Sequence, residues 1–363
     1  MTKPVTMAQI AARAGVHVTT VSLALRNHPS LPERTRERIR SLAEEMGYRP
    51  DPNLRALMAY RRSQQHTRTV QTLAYVTNWD SRWVWKEFPA HAAFFRGAET
   101  RAEELGYRLE HFWLGEPKLS DRRLGEILHS RGITGVVVAS QRFDRDERLQ
   151  MDWSRFASVK IDYYPHEPRL HIVTNDQRSI LRLATRQVRA AGYRRIGLVL
   201  HRDWDRGVDG SLSSGHIEAQ QAFPADERLP ILYIEKMEPP PDQRWGGRAP
   251  MSGLAEWLRE WRPDAVIGFG PALLPQLESL GLVVPRDLGF ADLFLGETDG
   301  ATAGVRHNCL RVGELAVELL AGQLQLNTLG LPRYPTSTLV EGSWFDGATL
   351  PRRVPAAARS GPR

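Results

Sequence analysis

The stretch VTMAQIAARAGVHVTTVSLALRN at 5–27 predicts two short helices joined by a tight turn. Thr6 can cap the first helix, and Gln9, three residues later, completes a capping box with it. Gly15 is suited to end this helix, because glycine takes up the left-handed backbone of a helix C-terminus at little cost. The second helix is predicted over 18–25.

The predicted second helix, VTTVSLAL, divides into an apolar side and a hydroxyl-rich side. Helical spacing turns four apolar residues inward: Val18, Val21, Ala24 and Leu25. Three residues then point outward, with Thr20 at their edge: Thr19, Ser22 and Leu23. A third helix follows over about 32–46, with Gly47 as its stop. This order of elements is the helix-turn-helix plan, and a small helical bundle with solvated arginines is the alternative.

Positive charge is concentrated in the same part of the chain. Residues 1–68 contain twelve Lys or Arg and five Asp or Glu, and this excess equals the net charge of +7 of all 363 residues. The rest of the chain is therefore balanced. An excess of positive charge confined to one block favours a polyanionic partner, so the first 68 residues are predicted to form a DNA-binding head.

The sequence from Val5 to Met58, which includes TRERIRSLAEEMGYRPDP at 35–52, resembles the head of lactose-repressor (LacI) family transcription regulators. The resemblance implies that the helix at 18–25 enters the major groove of DNA. It implies three contacts to bases and two to phosphates: Val18, Thr19 and Leu23, then Thr20 and Ser22. The full DNA-binding set that it implies is Thr6, His17, Val18, Thr19, Thr20, Ser22, Leu23, Asn27, Tyr48, Asn53, Leu54 and Leu57.

Leu23 departs from the family pattern, in which an arginine often occupies this position. Arginine makes a bidentate contact to guanine, whereas leucine can only contact a thymine methyl group. We therefore expect the base preference of this protein to differ from that of relatives with the arginine.

A short helix is predicted after Tyr48, because Asp51 can cap it and Pro52 suits its first position. At about two turns it is too short to be stable alone in water, so a linker with a frayed turn is the alternative. The resemblance implies a hinge helix that orders on DNA, pairs with its twin and inserts Leu57 into the minor groove. It therefore implies a homodimer that reads a near-palindromic operator of double-stranded DNA.

From residue 69 onward, strand-like and helical stretches alternate, which predicts doubly wound α/β architecture. The strand candidates are 72–77, 108–113, 135–139, 157–161, 171–174, 195–200, 231–234, 265–268, 289–293 and 337–340. The helical stretches include 91–105, 178–191, 251–261, 271–280 and 310–326. Segments such as FFRGAETRAEELGYRL and VGELAVELL resemble the regulatory core of the same family. That core is similar to periplasmic sugar-binding proteins, with two lobes around a ligand cleft.

The predicted fold class is thus an all-α helix-turn-helix head plus an α/β two-lobed core, periplasmic-binding-protein-like, with doubly wound parallel sheets. We expect crossovers between the lobes near 172–176, 298–306 and 327–337. The expected domains are a head at 1–50, a hinge helix and linker at 51–68, the effector-binding and dimerisation core at 69–347, and a disordered tail at 348–363.

Open α/β lobes bind ligands at the carboxyl ends of their strands. The effector-binding candidates there are Asn78, Trp79, Trp83, Gln141, Asp176, Arg206, Phe269, Asp292 and Phe294. Three of the ten tryptophans lie in WDSRWVW at 79–85, where their flat faces suit sugars or bases. The alternative is that these tryptophans are core or dimer-contact residues.

Two polar positions of the family cleft are occupied by apolar residues in this chain. Leu212 stands where an arginine is usual, and Phe294 stands where an aspartate is usual. Asp292, two residues before Phe294, points to the same face of a strand and is a candidate substitute. Either the ligand is unusual and stacked on aromatic rings, or the cleft has lost its effector.

The sequence therefore predicts a dimeric, sequence-specific transcription regulator, a repressor whose DNA affinity is controlled by a carbohydrate-like small molecule. A regulator whose cleft has lost or changed its effector is the alternative. An enzyme on the α/β core is a distant one, because the GxSxG, GxxxxGK[ST] and HExxH motifs are absent. A pure solute-binding protein would not need the head.

Composition limits the remaining classes. The single cysteine, Cys309, excludes an intrachain disulfide and a cysteine-based metal cluster. The N-terminus lacks the apolar core of a signal peptide, and no run of about 18 apolar residues occurs. We therefore expect a cytoplasmic protein with no metal, no cofactor and no membrane partner.

Overall fold

The computed structural model describes residues 5–25, 28, 30–48, 70–139, 141, 148–235 and 251–353. Its head contains three helices: α1 Met7–Ala14, α2 Val18–Leu25 and α3 Glu33–Glu45. The predicted capping box is confirmed, since Gln9 N–H donates to the Thr6 side chain and Thr6 N–H donates to Gln9 Oε1. Gly15 ends α1 with φ of 67°, the left-handed conformation expected of it.

The head closes on a small apolar core. Its buried members are Ile10, Ala11, Val21, Ala24, Ile39 and Ala43. Leu25, predicted inward, is partly buried against this core, but Val18 is 39% exposed, so its inward placement was wrong. Val18 is the first residue of α2, and the buried contact of this helix with the core is made by Val21, one turn later. The exposed position of Val18 agrees instead with a contact to DNA.

The core consists of two lobes, each built on a six-stranded sheet. The first lobe contains β1 Gln71–Thr77, β2 Tyr107–Trp113, β3 Gly135–Val138, β4 Ala157–Ile161, β5 His171–Asn175 and β11 Ser337–Val340. The second lobe contains β6 Ile196–His201, β7 Leu232–Ile234, β8 Ala265–Gly268, β9 Gly289–Asp292, β10 Gly304–Arg306 and β12 Ser343–Phe345. The strand orders are β11-β5-β4-β3-β1-β2 and β12-β10-β9-β8-β6-β7. The ladders are parallel except for β10 with β12.

Helices cover both faces of each sheet. Those of the first lobe are α4 Pro89–Glu104, α5 Asp121–Ser130 and α11 Cys309–Leu326. Those of the second lobe are α6 Gln177–Ala190, α7 Arg202–Gly207, α8 Ser211–Gln220, α9 Leu254–Trp261 and α10 Gly270–Ser279. Single 3₁₀ turns occur at Val84–Glu87, Trp153–Arg155 and Ala225–Glu227. Alternate residues of β1 enter different apolar clusters: Leu73 and Tyr75 on one face, Ala74 and Val76 on the other.

The predicted doubly wound fold is confirmed, and each of the ten strand candidates corresponds to a strand. The strands β10 and β12, of three residues each, were not predicted. The chain crosses between lobes after β5, after β10 and between β11 and β12. The third crossover therefore lies after residue 340, and its expected position at 327–337 was wrong. Those residues stay with the first lobe, where Gly330 N–H donates to Phe156 O at 2.9 Å.

The helices α4 and α11 pack at very close range against each other. A Cβ atom on Gly313 would lie 2.0 Å from the carbonyl oxygen of Phe94. A Cβ atom on Gly97 would lie 2.0 Å from the carbonyl oxygen of Leu310. Glycine at both positions allows the two backbones to meet, so this contact fixes α11 on the first lobe.

The disorder expected for residues 348–363 does not hold for residues 348–353. Leu350 is 7% exposed in the core of the second lobe, and Arg353 N–H donates to Ala191 O at 2.7 Å. The guanidinium of Arg353 also lies 3.2 Å from a carboxylate oxygen of Asp264. Residues 348–353 therefore belong to the second lobe, and residues 354–363 lie outside the described part of the chain.

Candidate DNA-binding head and inter-lobe cleft

The outer surface of α2 carries the residues expected to contact DNA. Val18 and Thr19 are exposed, whereas three are half-buried: Thr20, Ser22 and Leu23. His17 organises the start of this helix, because its Nδ1 lies 2.5 Å from Thr19 Oγ1 and accepts from Thr19 N–H at 3.3 Å. The surface offered by the beginning of α2 is therefore both apolar and hydroxyl-bearing.

The remaining residues of the expected DNA-binding set have different surroundings. Thr6 is exposed but engaged in the capping box, and Tyr48 is half-buried against the head core. Four members lie outside the described residues: Asn27, Asn53, Leu54 and Leu57. The expected hinge at 51–68 also lies outside them.

Arginines of α3 brace the head. Arg38 donates to the carbonyl of Ala14 at 3.3 Å, and Arg36 donates to that of His28 at 3.4 Å. Arg34 and Arg40 are exposed on the same helix. Some arginines of the head therefore stabilise its turns through hydrogen bonds, and others add positive charge to its outer surface.

On the first lobe, Trp79 follows β1 and lies in an aromatic cluster. Its ring centroid is 4.5 Å from that of Phe88 and 5.2 Å from that of His91. Its Nε1 is buried and has no hydrogen-bond partner among the described residues. A buried donor without a partner is costly, so this N–H is available to a ligand.

The other two tryptophans of the 79–85 stretch have different roles. Trp85 is fully buried and donates to Arg82 O at 2.9 Å, which confirms the core alternative for this residue. Trp83 is 48% exposed, with its ring centroid 4.8 Å from that of His111 and the Lys86 ammonium 4.2 Å above it. Trp83 therefore lies over the edge strand β2, apart from the cluster around Trp79.

Gln141 and Asp176 are engaged in backbone contacts. Gln141 Nε2 donates to Val76 O at 2.7 Å and to Ala139 O at 3.1 Å, so it ties together the ends of β1 and β3. The Asp176 side chain caps α6 by accepting from Ser179 N–H at 2.9 Å. Asn78 is half-buried after β1, and Arg206 is exposed on α7.

The second lobe presents three aromatic rings where its strands end. The Trp204 ring centroid lies 5.0 Å from that of Phe269 and 5.3 Å from that of Phe294, at interplanar angles of 75° and 74°. Phe269 and Phe294 are 6.1 Å apart at 82°. These edge-to-face contacts leave a cavity of about 20 Å³, the space of roughly one water molecule.

Asp292 does not replace the missing carboxylate of the cleft. It is 5% exposed, and its carboxylate accepts from the backbone N–H groups of Phe294, at 2.9 Å, and Gly270. Burial raises the pKa of Asp292. Leu212 is fully buried in the core of the second lobe, so neither position supplies a polar group to a ligand.

Two histidines of the second lobe were missed by sequence reasoning. His201 ends β6, is 7% exposed, and has no hydrogen-bond partner at either ring nitrogen among the described residues. His307 follows β10, and its ring centroid lies 4.7 Å from that of Phe294. Burial lowers the pKa of His201, and lowers that of His307 to about 4, so both rings are neutral at pH 7. His201 was detectable from its position at the end of a predicted strand.

The loop after β4 reaches the second lobe. The Tyr163 side chain is hydrogen-bonded to that of Ser211 at the start of α8. Three carboxylates close to Tyr163, together with burial, raise the pKa of its hydroxyl: Asp162, Asp209 and Asp176. The two lobes therefore meet at a point where the surrounding charge is negative.

A buried lysine of β4 stabilises the loop that carries Tyr163. Lys160 is 2% exposed in β4, and its ammonium donates to Tyr163 O at 2.7 Å and Pro165 O at 2.5 Å. Asp162 has φ of 65° and accepts from Thr174 Oγ1 at 2.6 Å. Burial raises the pKa of Asp162 to about 6.

A larger groove of about 630 Å³ lies elsewhere on the first lobe, between α5 and residues 148–156. Charged side chains along it pair with each other, as Arg155 does with Asp152 at 2.6 Å and Arg148 with Glu167 at 3.1 Å. Among the described residues no group of three His, Cys, Asp or Glu is placed to hold a metal ion. The described helices also include none long and apolar enough to cross a bilayer.

Known proteins resemble both parts of the chain. The family model "Bacterial regulatory proteins, lacI family" matches residues 6–51, the three helices of the head. The transcriptional regulator IpsA of Corynebacterium glutamicum is 25% identical over 368 residues, which cover 95% of this chain and 97% of that protein. The head of the chain thus matches the LacI family model, and the whole chain is similar to a helix-turn-helix regulator. A regulator of Mycolicibacterium smegmatis is 28% identical over 206 residues, and that match covers 56% of this chain and 54% of that protein.

Solved structures of the LacI family show the same fold. The regulator CelR, solved in complex with cellobiose, is 22% identical to this chain. The match covers 95% of this chain and 99% of that one, with a TM-score of 0.55. The Lac repressor dimer bound to operator and an anti-inducer is 15% identical to this chain. The match covers 96% of this chain and 100% of that one, with a TM-score of 0.52. The matched head and the similarity to curated helix-turn-helix regulators support a DNA-binding transcription regulator, as the sequence predicts.

Proposed function

We propose that this protein is a dimeric repressor of the LacI type that binds a near-palindromic operator, and that a small molecule in the cleft between its lobes sets its DNA affinity. One observation carries the effector part of the proposal. Buried polar atoms without partners lie at the carboxyl ends of three strands: Trp79 Nε1, Asn175 Oδ1 and both ring nitrogens of His201. Strand ends are where open α/β lobes bind ligands, and a ligand would satisfy these atoms.

The head supports direct contacts to DNA through α2. We assign Val18, Thr19 and Leu23 to base edges and Thr20 and Ser22 to phosphates, since the first two are exposed at the start of the helix. The assignment of Leu57 to a minor-groove wedge rests on the sequence resemblance. The proposed division is a head at 1–50, a hinge at 51–68 and a core that continues to at least 353. The resemblance to the operator-bound Lac repressor dimer supports the dimer.

The relatives of this chain are transcriptional regulators, and we propose that it has no enzymatic activity. The resemblance to the CelR complex with cellobiose supports an effector in the cleft. A second candidate, a regulator without an effector, is favoured by one observation: the second-lobe cavity that Trp204, Phe269 and Phe294 help to line measures only about 20 Å³.

The test combines genomic DNA selection with ligand screening on the full-length protein. Fragments of genomic DNA retained by the protein should share one near-palindromic sequence. A small-molecule extract of the source cells should then raise the melting temperature and change affinity for that sequence at fixed salt. A protein that binds the sequence with an affinity indifferent to every extract fraction is an effector-free regulator.

A further inference from the structure

Aromatic side chains form the second-lobe wall of the cleft. Trp204, Phe269 and Phe294 contact each other edge-to-face, and His307 extends the group through Phe294. Aromatic rings in this arrangement offer both faces and edges to a further ring, and such contacts stabilise a bound ring beyond the burial of its surface.

The positions on this wall that are usually polar in the LacI family offer no free polar atom to the hydroxyls of a sugar. Phe294 has no polar atom, Leu212 is fully buried, and the Asp292 carboxylate is bonded to two backbone amides. A polyol bound here would leave hydroxyl groups desolvated without partners, which weakens its binding. The wall therefore selects against ligands that carry hydroxyls on every carbon.

The buried polar atoms without partners are placed to form hydrogen bonds with groups on the edge of a flat ring. Both ring nitrogens of His201, and on the first lobe Trp79 Nε1, are buried without partners among the described residues. His201 is neutral at pH 7 because burial lowers its pKa. One nitrogen of a neutral imidazole donates and the other accepts, so His201 can bond to a hydroxyl or a ring nitrogen.

The charge at the junction of the lobes is negative. Burial and the carboxylates of Asp162, Asp176 and Asp209 raise the pKa of Tyr163, and the Lys160 ammonium, 2.7 Å from Tyr163 O, offsets one of these three charges. Arg202, which lies on the first turn after His201, is paired with Glu235 at 2.7 Å. An anionic ligand would approach three carboxylates there, and repulsion in a site of low dielectric is strong.

We propose that the effector is a planar aromatic molecule without negative charge, which packs against Trp204, Phe269 and Phe294 and bonds to His201. This inference rests on the proposed effector control of the cleft and names the ligand class. The space of about 20 Å³ between the rings is too small for another ring. Binding therefore requires Trp204, on the six-residue helix α7, to move aside.

The experiment uses the full-length protein and matched pairs of probes. The neutral aromatic probes are indole, adenosine and 4-hydroxybenzyl alcohol, and their anionic counterparts are indole-3-acetate, adenosine monophosphate and 4-hydroxybenzoate. Cellobiose and gluconate represent neutral and anionic polyols. Thermal melting and tryptophan fluorescence report binding, and operator affinity reports the regulatory response.

We expect at least one neutral aromatic probe to stabilise the protein, to bind at least tenfold more tightly than its anionic counterpart, and to change the fluorescence. Phe294→Asp should weaken this binding at least tenfold. Trp344→Phe is the matched control, because Trp344 bonds to Asp346 at 2.8 Å on β12 and is not among the three cleft rings. It should retain the affinity of the unmodified protein.

Two outcomes overturn the inference. If cellobiose, gluconate or an anionic aromatic binds most tightly and changes operator affinity, the ligand class is wrong while effector control stands. If none of the probes binds, the ligand class is also rejected, and effector control is decided separately by the response of operator affinity to the cell extract.

Discussion

The carboxylate of Asp292 accepts a 2.9 Å hydrogen bond from the backbone N–H of Phe294, two residues further along the chain. It also accepts from the N–H of Gly270, where a Cβ atom would lie 2.5 Å from Asp292 Oδ2. One buried side chain thus joins the end of β9 to the start of α10. The carboxylate organises the backbone that carries Phe294 and is not presented to a ligand.

Asp292→Ala should lower the free energy of unfolding by about 1–3 kcal/mol, because two buried backbone N–H groups lose their acceptor. Urea unfolding followed by circular dichroism measures the change. Asp299→Ala is the matched control, since Asp299 is exposed and accepts one bond, from Ala301 N–H at 2.9 Å. Equal losses in the two variants would contradict the structural role of Asp292.

Gly313→Ala should destabilise the first lobe by about 3 kcal/mol, because the new Cβ would meet the Phe94 carbonyl at 2.0 Å and push α11 away from α4. Gly322→Ala lies in the same helix with no heavy atom within 4 Å of its new Cβ. It should be neutral or stabilising by up to about 1 kcal/mol. Thermal unfolding of the two variants compares them directly, and similar melting temperatures would argue against the close helix contact.

His216 should make stability fall on acidification. It is fully buried without a described partner, and burial lowers its pKa from 6.5 to about 4. The unfolded chain binds the proton first, so stability is lost as the pH falls below 6.5, and the loss reaches about 3 kcal/mol near pH 4. Unfolding of His216→Leu between pH 7 and 5 should show a shallower pH dependence. The exposed His129→Leu variant serves as the control.

Leu23→Arg should introduce a preference for guanine at one position in each half-site, worth about 1–3 kcal/mol, since arginine can bond to guanine in a bidentate manner. Sequencing of DNA selected from a random pool measures the preference. Ser22→Ala should instead weaken binding to all sequences alike, as expected for a phosphate contact. An unchanged selected sequence for Leu23→Arg would remove this residue from the base-reading set.

Leu57→Ala should weaken operator binding far more than non-specific binding, because a wedge in the minor groove acts only on a specifically bent site. Affinities for operator and random duplexes at the same salt concentration test this prediction. Residues 1–68 alone should bind the operator weakly, since they lack the core that we propose dimerises them. Equal losses on the two duplexes would remove the wedge role.

Sequence reasoning reached the cleft only in part, as three positions show. Trp79 and Phe294 were predicted from the rule that ligands bind at strand ends, and both lie in aromatic clusters there. Asp292 satisfied the same rule but bonds to the backbone of Gly270, which is 22 positions earlier in the chain. No periodic pattern in the sequence encodes such a contact.

The head was readable from sequence because its determinants are local. The bond pair between Thr6 and Gln9, the left-handed Gly15 and the spacing of Val21 and Ala24 each involve residues within one helical turn. The strand candidates were readable for the same reason. The exposure of Val18, the engagement of Asp292 and the packing of Trp204 between Phe269 and Phe294 depend on segments far apart in sequence. They were determined only when those segments packed together, since burial and hydrogen bonding are properties of the folded neighbourhood.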